Sequence, residues 1–338
     1  MNWLKRTGKL VAGLLLTCVF FLLLLYRSDI PAEEIAEKYR TPESHFIDVD
    51  GIKVHIRIMG EGEPIFLLHG SFSSLHTWDV WQKELSPYFM TISLDFPGHG
   101  LTGPDELKRY SVQDYSELVL SLAEKLNLRK FHLTGSSMGG AVALHVASAR
   151  PDKILTLNLV DASGAPKIET RSLDGAQNPG RGSGAWIFKL IENPLISKIF
   201  LKCTPKFLFA KNMKEVYADA SKIQEKDIDR YYELMLREGN RQATLDRISI
   251  PRNSEVNFER LTMPTLILWG GQDSWIPINN AYALEKAIPG SYLIVFDQAG
   301  HVPMEEIPTE SVAEYLSFLG VEVRKNYLEA PKQMVYAD

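Results

Sequence analysis

"HLTGSSMGGAVAL", residues 132–144, sets two adjacent serines among glycines and alanines. The pattern Gly-x-Ser-x-Gly is met only with Ser137 at its centre, Gly135 two positions before and Gly139 two after. Centred on Ser136, the flanking residues would be Thr134 and Met138, both too large. The restriction is steric: a nucleophile on a sharp strand-to-helix turn brings those flanking residues together, and a Cβ at either would clash. Upstream, "KFHLT" reads as a buried strand. Downstream, "GGAVALHVASA" reads as a helix whose Gly140, Ala141 and Ala143 allow close approach to a sheet. Ser137 is therefore the candidate nucleophile, and Ser136 a structural neighbour.

Outward from this turn, the chain alternates. "PIFLLHG", "MTISLDFPG", "ILTLNLVDA", "PTLILWGG" and "SYLIVFDQAG" are short apolar runs without polar alternation, as expected of strands buried on both faces. Helical patterns occupy residues 112–126, 139–149, 279–287 and 309–319. "FIDV" and "KVHIRIMG" flank Asp50-Gly51, a hairpin signal. The expected fold is α/β, a mostly parallel sheet with helices on both faces and an antiparallel hairpin at its start, built from residues 44–165 and 253–322. Between them, residues 166–252 contain no convincing strand, only the Gly-rich "RSLDGAQNPGRGSG" and helical segments, so they read as a helical cap. Residues 185–214 of this cap hold Lys189, Lys198, Lys202, Lys206, Lys211 and Lys214 against Glu192, and are rich in large apolar side chains. That segment reads as amphipathic helices packed on the body, or as a face meeting a membrane surface or an apolar substrate.

The chain has 338 residues, 45% of them hydrophobic, enough to bury a full-sized core. A formal net charge of −5 and the lack of a basic stripe exclude general nucleic-acid binding. The two cysteines, Cys18 and Cys203, belong to no Cys/His cluster with metal-ligand spacing, so no metal is expected. Residues 10–26, "LVAGLLLTCVFFLLLLY", carry no charge and follow Lys5, Arg6 and Lys9. At ~1.5 Å per residue they would span roughly 25 Å, near the lower limit for a membrane helix. The expectation is an N-terminal membrane anchor over residues 1–27, a removed signal peptide or a buried core helix being the alternatives, with a linker at 28–43 and a tail at 323–338. By the positive-inside bias, the catalytic domain would lie on the extracytoplasmic side.

A serine hydroxyl needs a base to take its proton, and that base needs a carboxylate to orient it. Among eight histidines, His301 in "DQAGHVPMEE" stands directly after the last strand run. His45, His55, His76, His99, His132 and His145 fall in the hairpin, loops, a strand and a helix, and His69 belongs to the loop "LLHGSFSS". Asp273 in "LWGGQDSWIP" stands past the end of the preceding strand and is the expected acid, with Asp161 of "LNLVD" as competitor. Attack on a carbonyl also creates an oxyanion that needs two backbone N–H donors. Met138 should supply one and Ser71 or Phe72 the other, with His69 and Gly70 shaping their loop.

Taken in order, "LLHGSFSS", "LDFPGHGLT", "GSSMGG", "WGGQD" and "AGHVPMEEIP" resemble the α/β-hydrolase superfamily with a helical cap, over roughly residues 45–320. With its N-terminal apolar run, the chain looks most similar to membrane-associated monoacylglycerol lipases and bacterial lipase/esterases of that group. The resemblance implies an eight-stranded sheet, catalysis without a cofactor, and the chain order Ser137, Asp273, His301. Serine at the elbow disfavours the dehalogenase and epoxide-hydrolase branches, which use a carboxylate nucleophile. "HGSFSS" lacks the Gly-Pro-Gly continuation usual in meta-cleavage C–C hydrolases. The expected function is hydrolysis of a small-molecule or lipid carboxylic ester. The alternatives are a C–C bond hydrolase using the same triad, or a non-catalytic binding protein of this fold.

Overall fold

Asp50 and Gly51, at φ 52° and 84°, supply two consecutive left-handed residues, so β1 (Ser44–Val49) folds back antiparallel on β2 (Ile52–Met59). The computed structural model describes residues 23–166, 193–250 and 255–322, with scattered positions between 7 and 20. The remaining strands are β3 (Pro64–Leu68), β4 (Met90–Leu94), β5 (Phe131–Ser136), β6 (Ile154–Val160), β7 (Thr265–Gly270) and β8 (Tyr292–Phe296). They form one eight-stranded sheet in the order β1-β2-β4-β3-β5-β6-β7-β8. Only β1–β2 and β2–β4 are antiparallel. The predicted α/β sheet with its hairpin start is thus observed.

Alternate residues of each central strand serve opposite faces. Phe66, Leu68, Leu133, Leu159, Ile267 and Trp269 pack with helices Val112–Lys125, Met138–Ala149 and Asn279–Ala287. Ile65, Leu67, Val160, Leu266 and Leu268 pack with Trp78, Trp81 and Leu85 and with Val312 and Tyr315 of helix Pro308–Phe318. Burial on both faces is why these strands read as unbroken apolar runs. Among residues 193–250 the cap is helical, with helices Pro194–Phe200, Lys206–Glu215, Glu225–Leu236 and Asn240–Ile248. The Gly-rich stretch, Lys189 and Glu192 lie outside the described residues.

The N-terminal expectation is corrected. Among the described residues, no helix is long and apolar enough to cross a membrane. The uncharged run at 10–26 stands at the lower limit of what a bilayer core requires, so composition alone does not establish a span. At its end, Tyr26 bridges to Cys203, and the next residue, Arg27, donates its N–H to the Lys202 carbonyl at 2.8 Å, so the chain is docked on the cap there. The extracytoplasmic placement and the membrane partner rested on that anchor and are withdrawn with it. Residues 28–43 include helix Ala32–Tyr39, whose Ile35 is buried against Leu101 and Leu234. Tyr39 Oη and Lys38 Nζ both donate to Glu233, at 2.7 and 2.6 Å.

Candidate active site

β5 ends at Ser136 and the next helix begins at Met138, leaving Ser137 on the corner at φ 50° and ψ −118°. Non-glycine residues in such conformations cost roughly 1–3 kcal/mol and persist only where their surroundings hold them. Here they do. Ser137 N–H donates to the Val160 carbonyl at 3.1 Å, and its own carbonyl accepts from Gly140 and Ser163 N–H at 3.0 and 2.9 Å. A Cβ at Gly135 would run into the Gly139 carbonyl, and one at Gly139 into the Leu68 carbonyl. Gly135→Ala is therefore expected to cost about 2–3 kcal/mol by overpacking, read as a lower urea midpoint.

Asp273 and His301 come from the loops after β7 and β8. His301 Nδ1–H donates to Asp273 Oδ2 at 2.7 Å. The other Asp273 oxygen, Oδ1, accepts the N–H groups of Trp275 and Ile276 at 2.7 and 2.9 Å. The Trp275 ring stacks on His301 at 5.9 Å, and His301 N–H donates to the cap carbonyl of Val216 at 2.7 Å. Nδ1 carries the proton in this arrangement, leaving Nε2 as the basic nitrogen. Ser137 and His301 line one cavity of about 580 Å³, and of the eight histidines only His301 reaches it. No direct hydrogen bond joins Ser137 Oγ to His301 among the described contacts. Asp161, the competing acid, is fully buried and accepts Gly270 N–H at 2.9 Å, with no hydrogen bond to a histidine.

The loop after β3 runs beside Ser137: a Cβ on Gly70 would stand 3.0 Å from Ser137 Cβ. Phe72 has φ 60°, and Ser71, Phe72 and Met138 all line the cavity. His69 holds this loop from behind. Its Nδ1 bonds the Gly70 carbonyl at 2.7 Å and its Nε2 accepts Phe96 N–H at 3.0 Å, which fixes a neutral tautomer. Burial pushes the pKa of His69 down accordingly.

His76, a few residues on, is also buried, and desolvation lowers its pKa to about 4. Unfolded, it would titrate near 6.5. Between those values the unfolded chain binds the proton and the folded chain does not, so stability present above pH ~6.5 is lost as pH falls toward 4. At pH 5 this amounts to about 2 kcal/mol. Urea unfolding of wild type and His76→Gln at pH 7.5 and pH 5 should show the gap between them moving by about that amount in favour of the variant at the lower pH.

Several cavity residues carried no signal in the sequence. Glu305, one helical turn past His301, is half-buried and accepts from Thr77 Oγ1, Tyr217 Oη (2.8 Å) and Tyr231 Oη (2.6 Å). Burial raises its pKa despite those donors. Arg247, from the last described cap helix, lies 5.7 Å from the Phe72 ring centroid, and its Nη1 donates to Met138 Sδ at 3.6 Å. Only "HVPMEE" hinted at Glu305, as an acid following the histidine.

Comparison with known proteins agrees with this architecture. Residues 63–308 match the family described as alpha/beta hydrolase fold. The chain is 27% identical, over 87% of its length and 74% of the relative's, to the dihydrolipoyllysine-residue acetyltransferase component of an acetoin cleaving system from Pseudomonas putida. It is 27% identical to a pimeloyl-[acyl-carrier protein] methyl ester esterase from Vibrio vulnificus, covering 79% of this chain and 98% of that one. A solved meta-cleavage product hydrolase from Pseudomonas fluorescens superposes with a TM-score of 0.68 at 20% identity, over 82% of this chain and 97% of that one. These matches carry the family and not the narrower resemblance to membrane-associated monoacylglycerol lipases. The chain belongs to the alpha/beta hydrolase fold family.

Proposed function

We propose that the protein is a serine hydrolase that cleaves carboxylic esters through Ser137, His301 and Asp273. One observation carries the reading: a strained elbow serine and an Asp-oriented imidazole open into the same cavity. Ser137 Oγ attacks the ester carbonyl as His301 Nε2 takes its proton. The tetrahedral oxyanion is met by the N–H of Met138 and that of Ser71 or Phe72. Collapse expels the alcohol, protonated by the imidazolium, and leaves an acyl-enzyme that water attacks by the same route in reverse roles. The Oγ–imidazole hydrogen bond forms on substrate binding, since catalytic hydrogen bonds often tighten only in the complex.

The cavity wall supplied by the cap includes Leu208, Phe209, Met213, Val216, Met235 and Ile248, which suits a medium or long acyl chain. Residues 166–252 would then act as the lid that selects it. Tyr217 and Tyr231 tie this lid to Glu305 of the core. Tyr231→Phe should leave that carboxyl a donor short and cost about 1–2 kcal/mol in urea unfolding. Turnover of p-nitrophenyl esters of graded chain length tests the proposal, with kcat/KM rising from acetate toward longer acyl groups. A C–C bond hydrolase would use the same three residues on a vinylogous diketone. Preference for such a ring-cleavage product over every ester would move the assignment there.

A further inference from the structure

Two carboxyl groups meet behind the imidazole. Asp161 closes β6 and Asp273 follows β7, its parallel neighbour. One ligating atom from each, with one from His301, lies within 4.8 Å of the other two. Asp161 is fully buried and Asp273 nearly so. The two are supported unequally. Asp273 accepts from Trp275 N–H, Ile276 N–H and His301 Nδ1–H. Among the described residues, Asp161 accepts only Gly270 N–H at Oδ1, and its buried Oδ2 meets no donor. Buried carboxylates this close do not both keep their charge, and the proton settles where fewer donors stabilise the anion.

We propose that Asp161 is a neutral carboxylic acid in the working enzyme, a positioning residue whose hydroxyl steadies the Asp273 carboxylate on His301. The backbone is built for this: Asp161 sits at φ 43°, and its N–H is tied to the Leu268 carbonyl of β7 at 3.0 Å. Burial, and then the neighbouring Asp273 charge, push the Asp161 pKa well above the usual carboxylate range. Glu306 also faces the pair, and its carboxyl is engaged by Gly300, Ala218 and Asp219 N–H groups. A neutral Asp161 lets Asp273 carry the single negative charge that orients the imidazole.

The inference rests on the triad reading, so its test includes a readout independent of turnover. Infrared difference spectra of wild type minus Asp161→Asn at pH 7.5 should show the C=O stretch of a protonated carboxyl. In kcat/KM against pH, Asp161→Asn should keep the acid limb of wild type, because no charge is removed. Asp161→Ala should lower kcat on the order of 10–100-fold by loosening Asp273, with Asp161→Asn recovering most of the loss. The proposal is overturned if no protonated-carboxyl band is found. It is equally overturned if Asp161→Asn moves the acid limb down by about one pH unit or more, the sign of a lost negative charge. Wild-type kcat in Asp161→Ala would remove the positioning role. Failure of the triad reading would appear differently, as full activity in a Ser137 variant with the infrared band intact.

Discussion

Replacing Ser137 by alanine is expected to lower kcat for a p-nitrophenyl ester by ~10⁶, with KM nearly unchanged. The size of the effect follows from what the side chain does. Ser137 Oγ makes no hydrogen bond to the protein among the described contacts, so its removal strands no partner and leaves folding intact. The backbone at φ 50° is held by Val160, Gly140 and Ser163 through backbone hydrogen bonds that do not use the hydroxyl. What disappears is the covalent route. A residual rate of ~10³–10⁴ over water should survive from the oxyanion donors and binding alone. Single-turnover kinetics on the folded variant, checked by its urea midpoint, measures this; a loss below tenfold would contradict it.

Asp273→Asn should lower kcat by about 10⁴ while leaving the fold in place. Asp273 Oδ1 serves two backbone N–H groups, and an asparagine oxygen can go on serving them. The amide nitrogen then faces His301 Nδ1, where the carboxylate had accepted a hydrogen bond. To avoid two donors meeting, the imidazole must move its proton to Nε2, which removes the base that faces the cavity. The defect is one of tautomer, so kcat falls at every pH where the imidazole is neutral. A pH–rate profile that recovers wild-type kcat at high pH would argue against this mechanism.

Much of this arrangement was legible because the controlling constraints are local. Gly135 and Gly139 announce the elbow, since only glycine tolerates carbonyls as near as those of Gly139 and Leu68. Asp50-Gly51 gives the hairpin, and unbroken apolar runs give strands buried on both faces. The pairing of Asp273 with His301 followed from each standing just past a strand end. What stayed hidden depends on neighbours distant in the chain. Asp161 could be read only as a rival acid, because the donors that distinguish it from Asp273 belong to other loops. Glu305 gains its place from Tyr217 and Tyr231 of the cap, and nothing in their spacing foretells it. The uncharged run at 10–26 shows the opposite failure: composition suggested a membrane span, while no helix among the described residues is long and apolar enough to be one. Residues 28–43 likewise read as polar linker because Ile35 is a single buried contact among charged neighbours.

The central claim is that His301 turns Ser137 into a nucleophile. Labelling with a fluorophosphonate, followed by peptide mass spectrometry, examines it directly, because the reagent reacts with an activated serine and needs no knowledge of the substrate. The account predicts one adduct, on Ser137, in the wild-type protein and its loss in His301→Ala. An adduct on another residue, or labelling of Ser137 at the wild-type rate without the imidazole, would contradict it.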